Sequence, residues 1–169
     1  RTATTRLKKI RPCEYVTVTN CNLAVSASAF RIGEGIGQIR HVRVSNITVA
    51  RAGVGINFMT AYNGHGEAFI SDVNFSGISL CNVGWPIKIE GGNGEIKNVT
   101  IENARAESLG EIRLIPDSKG IASDITLKNV DLFLAKEERA LTPSHLQLRG
   151  EHVFYAKNVE GLRLLSLRI

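Results

Sequence analysis

Four apolar–polar–apolar triplets stand out: Phe30-Arg31-Ile32, Ile56-Asn57-Phe58, Ile87-Lys88-Ile89 and Ile112-Arg113-Leu114. Alternate residues of a strand face opposite ways, so with the apolar pairs turned inward Arg31, Asn57, Lys88 and Arg113 all face outward. Just beyond the triplets come Glu34, Glu90 and Asp117. Cations beside carboxylates have more than one chemical use. A guanidinium clamps a carboxylate bidentately and an ammonium meets it as a point charge, which suits an acidic sugar chain. The carboxylates can act as an acid–base pair, or simply offset the cations. The plain alternative is a solvated sheet face with Lys and Arg stems lying along it. Trp85, in VGWPIKI, offers either a stacking face for a sugar ring or a hydrophobic lid on a mount made rigid by Pro86.

The elements that must position these residues recur along the chain. VTVTNCNL at Val16, VRVSNITV at Val42, VNFSGISL at Val73, VTIENARA at Val99 and ITLKNVDL at Ile125 start at offsets of 26, 31, 26 and 26 residues. Apolar residues at the first and third places give the period of a strand with one buried face. The fifth place holds Asn20, Asn46, Asn103 and Asn129, with Gly77 in the remaining copy. Asn tolerates left-handed backbone angles at a turn, and its amide can bond the same Asn in the copies above and below. The triplets follow about 14 residues after each of the first four starts, and glycine-bearing loops follow the triplets.

A fixed period in this range marks a repeat architecture. Propeller blades need more residues and four strands each, and leucine-rich repeats need a Leu-heavy signature that is absent. Short strands rich in Val, Ile and Thr, broken by Gly and Asn, fit the coils of an all-β, right-handed parallel β-helix. The expected organisation is a cap or remnant of a preceding coil at 1–12, coils at 13–134, a charged excursion loop at 135–152 and a last coil at 153–169. About six coils at ~4.8 Å each make a stack of roughly 25–30 Å. Cations stacked at that spacing repel unless solvent or an anionic ligand screens them.

Composition bounds the partners. With 169 residues, 43% hydrophobic and 22% charged, the chain is about one ordinary globular domain. No apolar run reaches 18 residues, and the basic start RTATTRLKKIRPCEYV lacks the apolar segment of a signal peptide. A net charge of +5 favours acidic partners. Sparse aromatics and the lack of a long block of like charge leave nucleic acid a weak reading. Cys13, Cys21 and Cys81 have no metal spacing, and an odd number cannot all pair. His41, His65, His145 and His152 are scattered, so neither a metal nor a cofactor is expected. The sequons at Asn46, Asn74 and Asn98 are by-products of the repeat.

R-P-C-E at Arg11–Glu14, F-R-I-G-E-G at Phe30–Gly35 and G-W-P-I at Gly84–Ile87 together resemble the C-terminal half of the polygalacturonase family of glycoside hydrolases, in its bacterial pectin-lyase-fold branch. The resemblance covers roughly Pro12 to Leu134 and, more weakly, the last coil. It implies inversion at a glycosidic bond by two carboxylates spaced to admit a water. The family carries its catalytic aspartates in N-D and D-D segments on coils before R-P-C-E, and this chain has no D-D pair. Two further signatures depart: Ser28 stands at the place of the family's G-H-G histidine, and Asn57-Phe58-Met59-Thr60 at its R-I-K-T strand. Gly64-His65-Gly66 is a decoy in a later loop.

The resemblance therefore implies a portion of a hydrolase acting on acidic polysaccharide, inactive by itself, secreted or periplasmic, with catalytic residues unassigned here. A non-catalytic carbohydrate-binding or structural module is the alternative. Arg31, Glu34, Asn57, Lys88, Glu90 and Arg113 are the candidate substrate-binding residues. No membrane partner is expected. An open first coil, unless capped by the basic N-terminus, predicts self-association.

Overall fold

The computed structural model describes residues 11–61, 66–116, 120–135 and 152–169. The expected N-terminal cap and excursion loop lie almost entirely outside these residues, as do His65, Asp117 and His145. Among the described residues the protein is all-β: β1 (Cys13–Ala24), β2 (Ser28–Gly33), β3 (Ile36–Met59), β4 (Glu67–Glu90), β5 (Asn93–Ser108), β6 (Ile112–Ile115), β7 (Gly120–Leu134), β8 (Phe154–Ala156), β9 (Val159–Glu160) and β10 (Arg163–Arg168). Among the described residues no helix is long and apolar enough to cross a membrane.

All ten strands join one sheet, in the order β1-β3-β4-β5-β7-β10, with β2 on β3, β6 between β4 and β8, and β9 on β7. Every pairing is parallel. The register follows the sequence repeat: Val16 pairs with Val42, Val42 with Val73, Val73 with Val99 and Val99 with Ile125. Two residues on, Val18, Val44, Phe75, Ile101 and Leu127 form the next column, which continues to Leu164 of β10. From Val42 to Leu127 these columns are buried, and they belong to one hydrophobic core. Burying a side chain of this size stabilises by about 1.5–3 kcal/mol, so like-on-like stacking is where the fold's stability is concentrated.

Long strands can share one core only by bending, and the bends have a residue-level cause. Asn20, Asn46, Gly77, Asn103, Asn129 and Ser166 are left-handed, with φ between 50° and 65°. A second left-handed column lies five residues before each: Tyr15, His41, Asp72, Asn98, Asp124 and Gly161. Each V-x-V-x stretch is therefore a flat segment between two corners. Left-handed backbone costs roughly 1–2 kcal/mol in most residues and much less in Gly, Asn or Asp, which hold most of these places. Asn and Asp amides and carboxylates also bond along the columns. Asn46 Nδ2 donates to Asn20 Oδ1 at 2.5 Å, Asn129 Nδ2 to Asn103 Oδ1 at 3.1 Å, and Asn98 Nδ2 to Asp72 Oδ1 at 2.7 Å.

Candidate functional site

The triplets fall in one register. Arg31 of β2 pairs with Asn57 of β3, Asn57 with Lys88 of β4, Lys88 with Arg113 of β6, and Arg113 with Tyr155 of β8. Their flanking apolar residues Ile56, Phe58, Ile87, Ile89, Ile112 and Leu114 are buried in the core, which turns the row outward. Arg31 is exposed, Lys88 and Arg113 are half-buried, and Asn57 is only 3% exposed. Asn57 departs from the expected outward, open placement because its amide is drawn onto the Glu90 carboxylate, Nδ2 to Oε1 at 3.2 Å.

The cations of the row are not left to repel one another. Arg31 NH1 meets Glu34 Oε2 at 2.9 Å, and Lys88 Nζ meets Glu90 Oε1 at 2.9 Å. Arg113 NH1 meets Glu111 Oε1 at 3.4 Å. Of the expected carboxylates, Glu34 and Glu90 are at the row. The Arg113 partner is Glu111, which comes before the strand rather than after it. The signal for it was the alternation itself, because a residue two places before Arg113 shares its side of the strand. Three cations set against three carboxylates leave the row formally neutral.

Local backbone places Glu34. It sits left-handed, at φ 64°, between Gly33 at 114° and Gly35 at 135°. A Cβ on Gly33 would lie 1.9 Å from the Met59 carbonyl oxygen, so this approach admits only glycine. The Glu34 amide then donates to that carbonyl at 2.8 Å, fixing the carboxylate below Arg31.

Trp85 is 4% exposed and packs with Val54 and Leu109 outside the main core. Lys88 Nζ lies 5.6 Å and the Arg113 guanidinium 5.5 Å from its ring. The indole is thus a buried platform under two cations of the row, and the lid reading holds rather than an open sugar-stacking face. Cation–π contact of this kind orients Lys88 and Arg113 as well as attracting them.

Three buried side-chain oxygens in this stretch have no hydrogen-bond partner among the described residues: Asn57 Oδ1, Thr60 Oγ1 and Glu111 Oε2. Glu111 is 2% exposed. Buried unsatisfied acceptors are costly, and these three lie in the packing beneath the row rather than on the face a ligand could reach. With paired donors and acceptors side by side, the row is equipped to receive hydroxyl groups, each of which donates one hydrogen bond and accepts others.

Elsewhere, His41 Nδ1 lies 3.5 Å from Asp72 Oδ2, and His152 stacks on Tyr155 with centroids 5.3 Å apart. Among the described residues no cluster of His, Cys, Asp and Glu has the makings of a metal site. Cys13, Cys21 and Cys81 are free thiols. Two of the three sequon amides, those of Asn46 and Asn98, are engaged in the corner columns. Comparison with family models found no match, and neither did comparison with curated proteins or with solved structures.

Proposed function

We propose that the parallel strands wind as a right-handed β-helix of about six coils. We further propose that the chain is the C-terminal portion of a polygalacturonase-like glycoside hydrolase, contacting polysaccharide along the Arg31–Asn57–Lys88–Arg113 row and inactive by itself. Support for the winding comes from the repeating register and the two columns of corners, and right-handedness is the rule for parallel connections within one sheet. The R-P-C-E, F-R-I-G-E-G and G-W-P-I motifs support the family, and the missing D-D pair supports inactivity.

One observation carries the carbohydrate reading: Arg31, Lys88 and Arg113 stand in register and outward, each on a carboxylate, with the Asn57 amide turned onto Glu90 between them. A pyranose ring presents vicinal hydroxyls, and adjacent donor and acceptor groups can bond them in pairs. Electrophoresis through a gel containing de-esterified polygalacturonate, with a reducing-end assay on the same polymer, tests the reading. The expected result is retarded migration, weakened about tenfold by Lys88→Gln, with no release of reducing ends. Unretarded migration overturns the binding, and release of reducing ends overturns the inactivity.

A further inference from the structure

An acidic polysaccharide must place its carboxylates somewhere, and the row is a poor place for them. Arg31, Lys88 and Arg113 already have resident carboxylates at 2.9, 2.9 and 3.4 Å, so a uronate there competes with Glu34, Glu90 and Glu111. Arg43 is different. Among the described residues its guanidinium makes only two long contacts, NH1 to the carbonyl oxygens of Val42 and Asp72, both at 3.5 Å, and it pairs with no carboxylate.

Arg43 lies on the flat segment of β3 between the left-handed corners His41 and Asn46, so the Asn46 corner separates it from Asn57 of the row. Its register neighbour is Asn74, whose own neighbour is Thr100. His41, Arg43, Asp72, Asn74, Asn98 and Thr100 line one groove of about 570 Å³. That volume falls in the range of small-molecule sites, roughly 300–1,000 Å³. The one carboxylate in the groove does not claim the guanidinium. Asp72 Oδ1 accepts from Asn98 at 2.7 Å, and Oδ2 accepts from Ser71 Oγ at 3.3 Å and faces His41 Nδ1 at 3.5 Å.

Two other cations without a carboxylate partner among the described residues are placed less well. Arg105 lies 4.8 Å over the Phe133 ring, and its groove contains Asp131, already held by Arg168. Lys97 shares its groove with Glu95.

We propose that the Arg43 groove is a second glycan subsite, seating one carboxylated sugar residue with its acid group on Arg43 and its ring hydroxyls toward Asn74 and Thr100. This rests on the polysaccharide reading above and assigns the acid preference to a different segment of the strand. The row reads hydroxyls, and Arg43 reads charge.

Calorimetric titration of the full chain with two hexasaccharides of the same linkage, one of galacturonate and one of galactose, tests it. The wild type is expected to bind the acidic oligomer more tightly. Arg43→Gln is expected to weaken the acidic oligomer about tenfold and leave the neutral one unchanged, which abolishes the preference. Lys88→Gln is expected to weaken both alike. Thermal unfolding of each variant checks that the fold is kept, and Arg43 is exposed enough for substitution to be tolerated. An acid preference that survives Arg43→Gln overturns the subsite, as does a wild type without preference, and in either case the row reading stands if Lys88→Gln still weakens binding. A wild type that binds neither oligomer overturns both.

Discussion

Asn46 and Asn20 lie 26 residues apart, share a left-handed backbone, and are joined by a 2.5 Å bond from the amide of one to the side-chain carbonyl of the other. The corner and the ladder are thus one device. Conformation selects Asn, and repetition brings identical amides into register. Asn46→Ala loses the bond and keeps the strained φ, so a loss of about 1–2 kcal/mol is expected in urea unfolding. Asn46→Gly loses the bond only and is expected to cost under about 1 kcal/mol. Equal costs for the two would show that the corner's conformation carries no weight.

Gly33 should be far less tolerant. A Cβ there meets the Met59 carbonyl oxygen at 1.9 Å and the φ is 114°, so Gly33→Ala forces β2 away from β3. The expected loss is about 2–4 kcal/mol, a fall of roughly 4–16 °C in Tm for a domain of this size. Because Glu34 is placed by the same turn, the proposed glycan binding at the row is expected to weaken with it.

The readability of the chain follows the chemistry of its columns. Val, Ile and Phe at alternate places could be aligned by eye, and that alignment is the pairing register from Val16 to Ile125. The Asn column was equally plain, since one residue type suits that corner. The other corner was less plain because Tyr15, His41 and Gly161 interrupt the Asx residues Asp72, Asn98 and Asp124, so no one residue type marks its shared backbone conformation. The row was legible from strand alternation, but its pairing was not. Neither the Asn57 amide turned onto Glu90 nor the buried Glu111 follows from period alone, because each depends on what a neighbouring strand brings within reach.

The thiols give a direct check on the exposure of β1 and β4. Cys81 is exposed, whereas Cys13 and Cys21 are half-buried. Titration with a chromogenic disulfide should show one fast thiol, which Cys81→Ser removes, and two slower ones. All three should react at once in denaturant. Fewer than three reactive thiols in denaturant would mean a disulfide where the structure has free cysteines.

The last strand is tied by charge. Arg168 donates to both Asp131 oxygens, Nε at 2.6 Å and NH2 at 2.8 Å, and this contact holds the guanidinium pKa above its ordinary value. A raised folded-state pKa contributes stability that is fully present below the unfolded value and is lost only as pH rises through the folded one. For a guanidinium, that window lies beyond the alkaline limit of ordinary work. Between pH 6 and 10 the Arg168→Gln difference should therefore be flat. Salt is the lever instead, because Arg168 is exposed and Asp131 only half-buried, so screening shortens their reach. Hydrogen exchange in β10 that is faster in Arg168→Gln at low salt, and converges with the wild type near 1 M salt, is the expected pattern. A difference that persists at high salt would point to packing by the Arg stem.

Trp85 is the only tryptophan, so its emission reports on the row without labelling. Packed on Val54 and Leu109 beneath Lys88 and Arg113, it is expected to emit at short wavelength and to resist iodide and acrylamide. Trp85→Ala removes a large buried side chain and should cost about 3–5 kcal/mol. Trp85→Leu retains apolar filling but has no ring for the cations, so it separates the two roles of the indole. A stability loss below that of Trp85→Ala, together with weaker glycan binding, is expected, because Lys88 and Arg113 lose the surface that orients them. If iodide quenches Trp85 freely in the native protein, the ring is open to solvent. The buried platform then fails, and a face available for sugar stacking takes its place.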